Sequence, residues 1–130
     1  MESEVYDSWN ERKKIVESRK RRKFINKREV IYVSIGKNIG YEQDGKNELF
    51  ERPVLVLKKI GINMFVGIPL TSKRKTGKGF FTFTVNNKSS TALLSQIRTF
   101  DTKRIERGLG YISLSDFNKL KLKINDFLLF

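Results

Sequence analysis

Arg52-Pro53-Val54-Leu55-Val56-Leu57-Lys58-Lys59, a break at Gly61-Ile62-Asn63, and then Met64-Phe65-Val66-Gly67-Ile68-Pro69-Leu70-Thr71-Ser72 form the stretch on which the reading of this chain turns. Each half is short, rich in β-branched and aromatic residues, and bounded by Gly or Pro, which reads as two successive buried strands. Pro53 suits the start of the first strand because it has no N–H to offer a ladder. A hairpin built from the two strands brings the chain back to where it began. Arg52 and Thr71 then stand side by side, a guanidinium beside a hydroxyl at the rim of a core.

Upstream, Glu29-Val30-Ile31-Tyr32-Val33-Ser34-Ile35 is nearly continuous in apolar character and reads as a central strand. From Gly36 to Lys46 the chain carries three glycines and several Asx residues, which predicts a long mobile loop of the kind that persists in a small domain for function. Downstream, Lys73-Arg74-Lys75-Thr76-Gly77-Lys78-Gly79 reads as a basic exposed loop. Phe80 to Val85 alternates as a strand, with Phe81, Phe83 and Val85 on one face. Asn86-Asn87 is a turn signal, and Thr91 to Ile97 is the next strand. Asp101 or Thr102 caps a short turn or strand between Arg98 and Ile105. The spacing of Phe117, Leu120, Ile124, Phe127 and Leu128 predicts an amphipathic helix that starts at Ser113 or Ser115 and covers one end of the core.

At the other end, Ser8 and Glu11 match a capping box, so a helix is expected from Ser8 to about Lys23. Its apolar face is thin: Trp9, Val16 and Ile15. Seven positive charges fall within the ten residues Arg19 to Arg28. They suit either a solvated helix packed on the domain by a few aromatics or an arm that touches phosphates. Together these elements predict a mainly β fold: a small, strongly bent SH3-like β-barrel with an N-terminal basic helix and a C-terminal amphipathic helix. Residues 1–27 read as a basic helical extension and residues 28–130 as the barrel domain.

The 130 residues include 27 Lys and Arg against 14 Asp and Glu, a formal net charge of +13. Such a field gathers polyanions, nucleic acid first, although an acidic protein or a membrane surface would answer to the same charge. The chain has neither cysteine nor histidine. That removes disulfides, thiolate nucleophiles and zinc–sulfur sites, and also the side chain that most often moves protons near neutral pH. Proton transfer must then fall to Arg, Lys, carboxylates, Tyr or hydroxyls. The acidic start leads into no apolar run of signal-peptide length, and no stretch approaches a membrane span, so a cytoplasmic protein without membrane association is expected.

Three motifs, Arg52-Pro53-Val54-Leu55-Val56-Leu57, Ile68-Pro69-Leu70-Thr71-Ser72 and Leu93-Leu94-Ser95-Gln96-Ile97-Arg98-Thr99-Phe100-Asp101-Thr102-Lys103-Arg104-Ile105, occur in an order that resembles the MazF/PemK toxins of type II toxin–antitoxin modules. Gly40-Tyr41-Glu42-Gln43 is similar to that family's loop after the first strand. The resemblance covers roughly Glu29 to the C-terminus. It implies a bent barrel and a homodimer that cuts single-stranded RNA at short sequences without a metal ion or other cofactor, leaving a 2′,3′-cyclic phosphate and a 5′-hydroxyl. It also implies an acidic, largely unfolded antitoxin lying across the RNA site.

Carried over by position, the resemblance makes Arg52 and Thr71 the catalytic pair. Arg52 would contact the scissile phosphate and Thr71, with Ser72, would donate to a non-bridging oxygen. RNA supplies its own nucleophile, the 2′-hydroxyl, so guanidinium and hydroxyl donors that stabilise a dianionic phosphorane suffice for much of the work. RNA contact is assigned to Glu42, Gln43, Ser72, Lys73, Arg74, Gln96 and Arg98. Plasmid-borne relatives carry an Arg-x-Asp pair where this chain has Leu93 and Ser95, so their acid–base assignment does not transfer, and Glu42 is the first carboxylate to test as base. The residues also admit plainer roles: Arg52 pairing with Glu51 or Glu48, Thr71 closing a turn, and Gln96, Arg98 and Asp101 forming a network at a dimer seam. Two other functions fit the same fold: a toxin that poisons DNA gyrase by binding it, and a non-catalytic RNA-binding barrel.

Overall fold

In the computed structural model, which describes residues 2–129, helix α1 (Glu2–Glu17) precedes strands β1 (Glu29–Ser34), β2 (Glu51–Ile60), β3 (Met64–Thr71), β4 (Phe80–Val85), β5 (Lys88–Leu93), β6 (Arg98–Asp101) and β7 (Ile105–Tyr111). Helix α2 (Leu114–Leu128) closes the chain. The antiparallel sheet runs in the order β4-β5-β3-β2-β1-β7, and β6 pairs with the first half of β3. The fold is mainly β, with a helix at each end, as the sequence leads one to expect. The strand path is bent but does not close, so the barrel description holds only loosely.

The opening stretch forms the expected hairpin. Val54 pairs with Pro69 and Ile60 with Met64, and a bulge at Leu57 shifts the register between them. Its near-continuous apolar character has a simple cause: this part of the sheet is covered on both faces. Val54, Leu55 and Val56 are all fully buried, yet alternate residues enter different cores. Leu55 joins Val30, Ile68, Leu70, Phe83 and Phe117 beneath α2. Val54 and Val56 join Ile31, Val33, Phe65 and Phe100 on the opposite face, where Phe65 and Phe100 stack with ring centroids 5.4 Å apart. A β-carbon at Gly67 would lie 2.5 Å from Val54 Cγ1, so glycine lets β3 pass this close.

The Asn86-Asn87 turn has positive φ at both positions, 49° and 61°, as a tight two-residue hairpin requires. The Asn86 side-chain amide also reaches across to β7. It donates to the Leu109 carbonyl, and its oxygen would be 2.7 Å from a β-carbon at Gly110.

Four elements depart from the sequence expectation. Helix α1 starts at Glu2 and ends at Glu17, so Ser8 and Glu11 lie inside it and form no cap. The basic tract after it is not helical, because five consecutive cations repel one another on helical spacing, and the extended path lets Ile25 enter the second core. The strand expected from Thr91 to Ile97 stops at Leu93. Buried Leu94 donates its N–H to Gly79 O, 2.9 Å, and Leu94–Gln96 turns as a 3-10 helix. Strand β7 was not foreseen, since Gly108, Gly110 and two register shifts against β1 break its alternation. Helix α2 starts as expected, with Ser113 Oγ accepting the Asp116 N–H at 3.1 Å. It outruns the core, however: Phe117 and Leu120 are buried, whereas Phe127 and Leu128 are 36% and 49% exposed.

Candidate functional site

The segment from Gly36 to Lys46, joining β1 to β2, is tied up by its own polar groups. The Asp44 carboxylate accepts the Asn38 N–H at 2.6 Å and the Lys37 ammonium at 3.0 Å. That hydrogen bond holds the Lys37 ammonium above its usual range. Asn38 Nδ2 donates to Gln43 O at 2.7 Å, and the Glu42 carboxylate accepts the Ile39 N–H at 3.0 Å. At the neck, Gly45 N–H donates to Gly36 O, and Lys46 and Glu51 exchange N–H···O bonds of 2.7 and 2.9 Å. The loop expected to be mobile is therefore internally stapled.

Arg52 lies under it, only 7% exposed. Nε donates to Asp44 O at 2.7 Å and Nη1 to Leu70 O at 3.3 Å. The Gln43 amide is oriented so that donors meet acceptors, and its oxygen then sits 2.6 Å from Nη2, 2.9 Å from Nε and 3.1 Å from Nη1. Burial draws the guanidinium below its usual pKa, with the Asp44 charge opposing. A cation held this way, screened little by water, is a strong electrostatic anchor for an anion that can reach it.

On the far side of Gln43 from Arg52 opens a cleft of about 320 Å³ lined by Glu42, Gln43, Ser95, Gln96, Arg98 and Phe100, among others. Gln43 belongs both to its wall and to the cover of Arg52. Gln96 ties the far wall to the loop: its oxygen accepts the Gln43 N–H at 3.3 Å and its amide reaches Tyr41 O at 3.4 Å. The Arg98 guanidinium lies 4.6 Å over the Phe100 ring. The structure thus gathers four of the residues named for RNA contact, Glu42, Gln43, Gln96 and Arg98, in one cleft.

The other named residues are placed elsewhere. Thr71 pairs with Thr91 of β5, is 8% exposed, and accepts the Lys73 N–H on its hydroxyl at 3.2 Å. With Ser72, Tyr32, Pro53 and Lys88 it lines a second depression, of about 310 Å³. The two outer ends of the hairpin do come together, but the Arg52 guanidinium goes to the Leu70 carbonyl, one residue short of Thr71. Lys73 and Arg74 stand exposed on the following loop, and among the described residues neither is paired with a carboxylate. Glu51 does not serve Arg52: it is 4% exposed and receives Arg107 in two 2.8 Å bonds, with Arg107 lying over Tyr32. Asp101 forms no network with Gln96 and Arg98 either. It caps the turn at Thr102–Arg104 and holds Arg22.

Asp44 and Asn38 were not named from the sequence, although both sit in the Asx-rich loop that was singled out. Much of the basic tract is spent within the molecule. Arg12 and Arg19 share Glu106, at 2.8 and 2.9 Å, and Arg22 takes Asp101. Among the described residues no cluster of His, Cys, Asp or Glu is arranged to hold a metal ion, and no helix is long and apolar enough to cross a membrane.

The family model for PemK-like, MazF-like toxins of type II toxin–antitoxin systems matches residues 26–128. The chain belongs to that family. The fold is likewise that of solved members. MazF from Deinococcus radiodurans superimposes with a TM-score of 0.66 at 21% identity, over 82% of this toxin and 97% of that chain. An endoribonuclease in complex with its cognate antitoxin, from a mycobacterial species, gives 0.61 at 15% identity, over 81% and 95%. A MazE–MazF complex from D. radiodurans gives 0.62 at 18% identity, over 82% and 96%. No curated protein matches the toxin's sequence. At these identities the structures speak for its fold, and its family membership rests on the match to residues 26–128.

Proposed function

We propose that this toxin is a metal-independent endoribonuclease that cleaves single-stranded RNA, mRNA in the cell, at a short sequence, with Arg52 as the group that binds the scissile phosphate. The observation that carries the reading is the buried Arg52 guanidinium covered by Gln43, a residue that also lines a cleft with Gln96 and Arg98, in a chain of net charge +13. In the reaction the RNA 2′-hydroxyl attacks the adjacent phosphorus, the 5′-oxygen leaves, and a 2′,3′-cyclic phosphate and a 5′-hydroxyl remain. Arg52 stabilises the dianionic phosphorane, and the Thr71 hydroxyl, with Ser72, donates to a non-bridging oxygen. Glu42 is the carboxylate in the cleft wall and the candidate to take the 2′-hydroxyl proton. Lys73 and Arg74 hold flanking phosphates.

The reading extends to partners. The toxin works as a cytoplasmic homodimer and is silenced by an acidic antitoxin, as suits its charge and the antitoxin complexes formed by proteins of its fold.

The test is incubation of the purified toxin with mixed single-stranded RNA in EDTA, mapping product ends, beside Arg52→Lys and Glu42→Gln. Arg52→Lys keeps a cation but loses the fork that meets three acceptors: cleavage should fall by roughly 100-fold or more, and the lost hydrogen bonds should lower the melting temperature by several degrees while the protein stays folded at the assay temperature. Full activity in Arg52→Lys would remove Arg52 from the mechanism. If the wild type leaves RNA intact at every salt concentration, arrest of gyrase would point to a binding toxin, and salt-dependent RNA affinity alone to a non-catalytic RNA-binding protein.

A further inference from the structure

Helix α1 lies outside the residues that the family model matches, and it is seated on the loop that covers Arg52. Trp9 is 9% exposed and lies against Gly36, where a β-carbon would stand 2.2 Å from its ring; it also packs on Phe50 at 5.5 Å between centroids. The Tyr6 hydroxyl donates to Asn38 O at 2.8 Å, and the Glu2 carboxylate is 3.8 Å from Lys37 Nζ. Gly36, Lys37 and Asn38 open the loop, and Phe50 closes its neck by accepting the N–H groups of Ile35 and Gly36. The helix is itself anchored away from the loop, by Arg12 on Glu106 and by Lys103 on Glu17.

From these three loop residues the contacts run on without a gap. Lys37 and Asn38 hold the Asp44 carboxylate, and Asp44 O takes Arg52 Nε. Asn38 also holds Gln43 O, and the Gln43 amide oxygen covers the guanidinium. All three guanidinium nitrogens of Arg52 already face an acceptor, so a phosphate reaches it only when Gln43 and Asp44 move off.

We propose that α1 is an intramolecular clamp, in which Trp9 and Tyr6 hold the Gly36–Lys46 loop shut over Arg52 and so set the fraction of toxin molecules open to RNA. The proposal rests on the reading of Arg52 as the phosphate-binding group. Contacts made only in the closed state lower the open population, and apparent affinity for RNA falls by the same fraction.

The experiment compares the full-length toxin with Trp9→Ala and Tyr6→Phe, using Ile15→Ala, on the exposed side of α1, as control. The first readout is hydrogen exchange at the amides of Asn38, Ile39, Gln43 and Gly45, with Leu55 and Ile68 reporting on the fold as a whole. The clamp predicts exchange at those loop amides about tenfold faster in Trp9→Ala and a few-fold faster in Tyr6→Phe, with Leu55, Ile68 and the control unchanged. The second readout is RNA cleavage, in which KM should fall several-fold in Trp9→Ala while kcat holds. Unchanged loop exchange in both variants overturns the clamp whatever the RNA shows. Faster loop exchange with a raised KM overturns it too, since α1 would then be supporting the active form. Faster loop exchange with no cleavage by any variant, wild type included, upholds the clamp and removes the nuclease reading. Should Trp9→Ala lose its fold, Tyr6→Phe, which removes a single hydroxyl, decides.

Discussion

Gly45→Ala offers a sharp test of how tightly the site is closed. A β-carbon at Gly45 would stand 1.7 Å from Phe50 O and 2.0 Å from Phe50 C, both backbone atoms with little room to retreat. The neck must then part. Three hydrogen bonds are at risk there: Gly45 N–H to Gly36 O at 2.7 Å and the two between Lys46 and Glu51. At roughly 0.5–1.5 kcal/mol each, their loss comes to about 2–4 kcal/mol. For a domain of this size each kcal/mol moves the melting temperature by about 3–5 °C, so a fall of about 6–20 °C is expected. Gly40→Ala is the internal contrast: no atom lies within 4 Å of its β-carbon, but its φ of +57° is left-handed, which costs about 1 kcal/mol. Calorimetry on the two variants, with trypsin cleavage at Lys37 and Lys46 as a local probe, separates a steric neck from a strained turn. If Gly45→Ala melts within about 2 °C of wild type, or if Gly40→Ala proves the worse of the two, the packed neck described above is wrong.

Two further outcomes follow from residues away from the loop. Burial alone would raise the Asp101 carboxyl, but the Lys103 N–H and the Arg22 guanidinium outweigh it and hold the group below its usual value of 3.8. A lowered carboxyl stabilises the folded state above the ordinary value and loses that contribution as pH falls through the lowered one. Chemical denaturation from about pH 5 down to about pH 2 should therefore show a steeper loss in wild type than in Asp101→Asn, and parallel curves would dismiss the effect. Ser113→Ala removes the cap of α2 and should cost about 1 kcal/mol in urea unfolding without touching RNA cleavage.

The hairpin of β2 and β3, strands β1 and β4 and the Asn86-Asn87 turn were legible because local composition and long-range burial agree there. Strand β7 was hidden, because Arg107 reaches out to a buried glutamate and Gly108 and Gly110 accommodate bulges and a neighbour's amide; none of these leaves a periodic trace. The start of α1 was misplaced because the Ser8 and Glu11 spacing mimics a cap that the fold does not use. For the site, the sequence pointed to Arg52 and to a loop ahead of it. That Asp44 and Gln43 cover the guanidinium depends on contacts across the loop, and that Trp9 rests on Gly36 depends on a helix some thirty residues upstream choosing its seat. A glycine in a loop advertises a free backbone, and nothing in the sequence announces that its missing side chain is also a socket.

The Asn86 bond to Leu109 bears on the order in which the chain assembles. Strands β4 and β5 are joined by a two-residue turn and can find each other almost at once. Strand β7 must wait for β1, from near the opposite end of the chain, and that closure carries the larger entropy cost. The early hairpin and the late strand meet through the Asn86 amide, which donates to Leu109 O, and through Leu109, which packs against the cluster holding Phe83 and Val85. The two ends of the sheet can thus be completed separately and joined last, and Asn86→Gly, which keeps the positive φ of the turn, should leave both intact while slowing the step that brings them together.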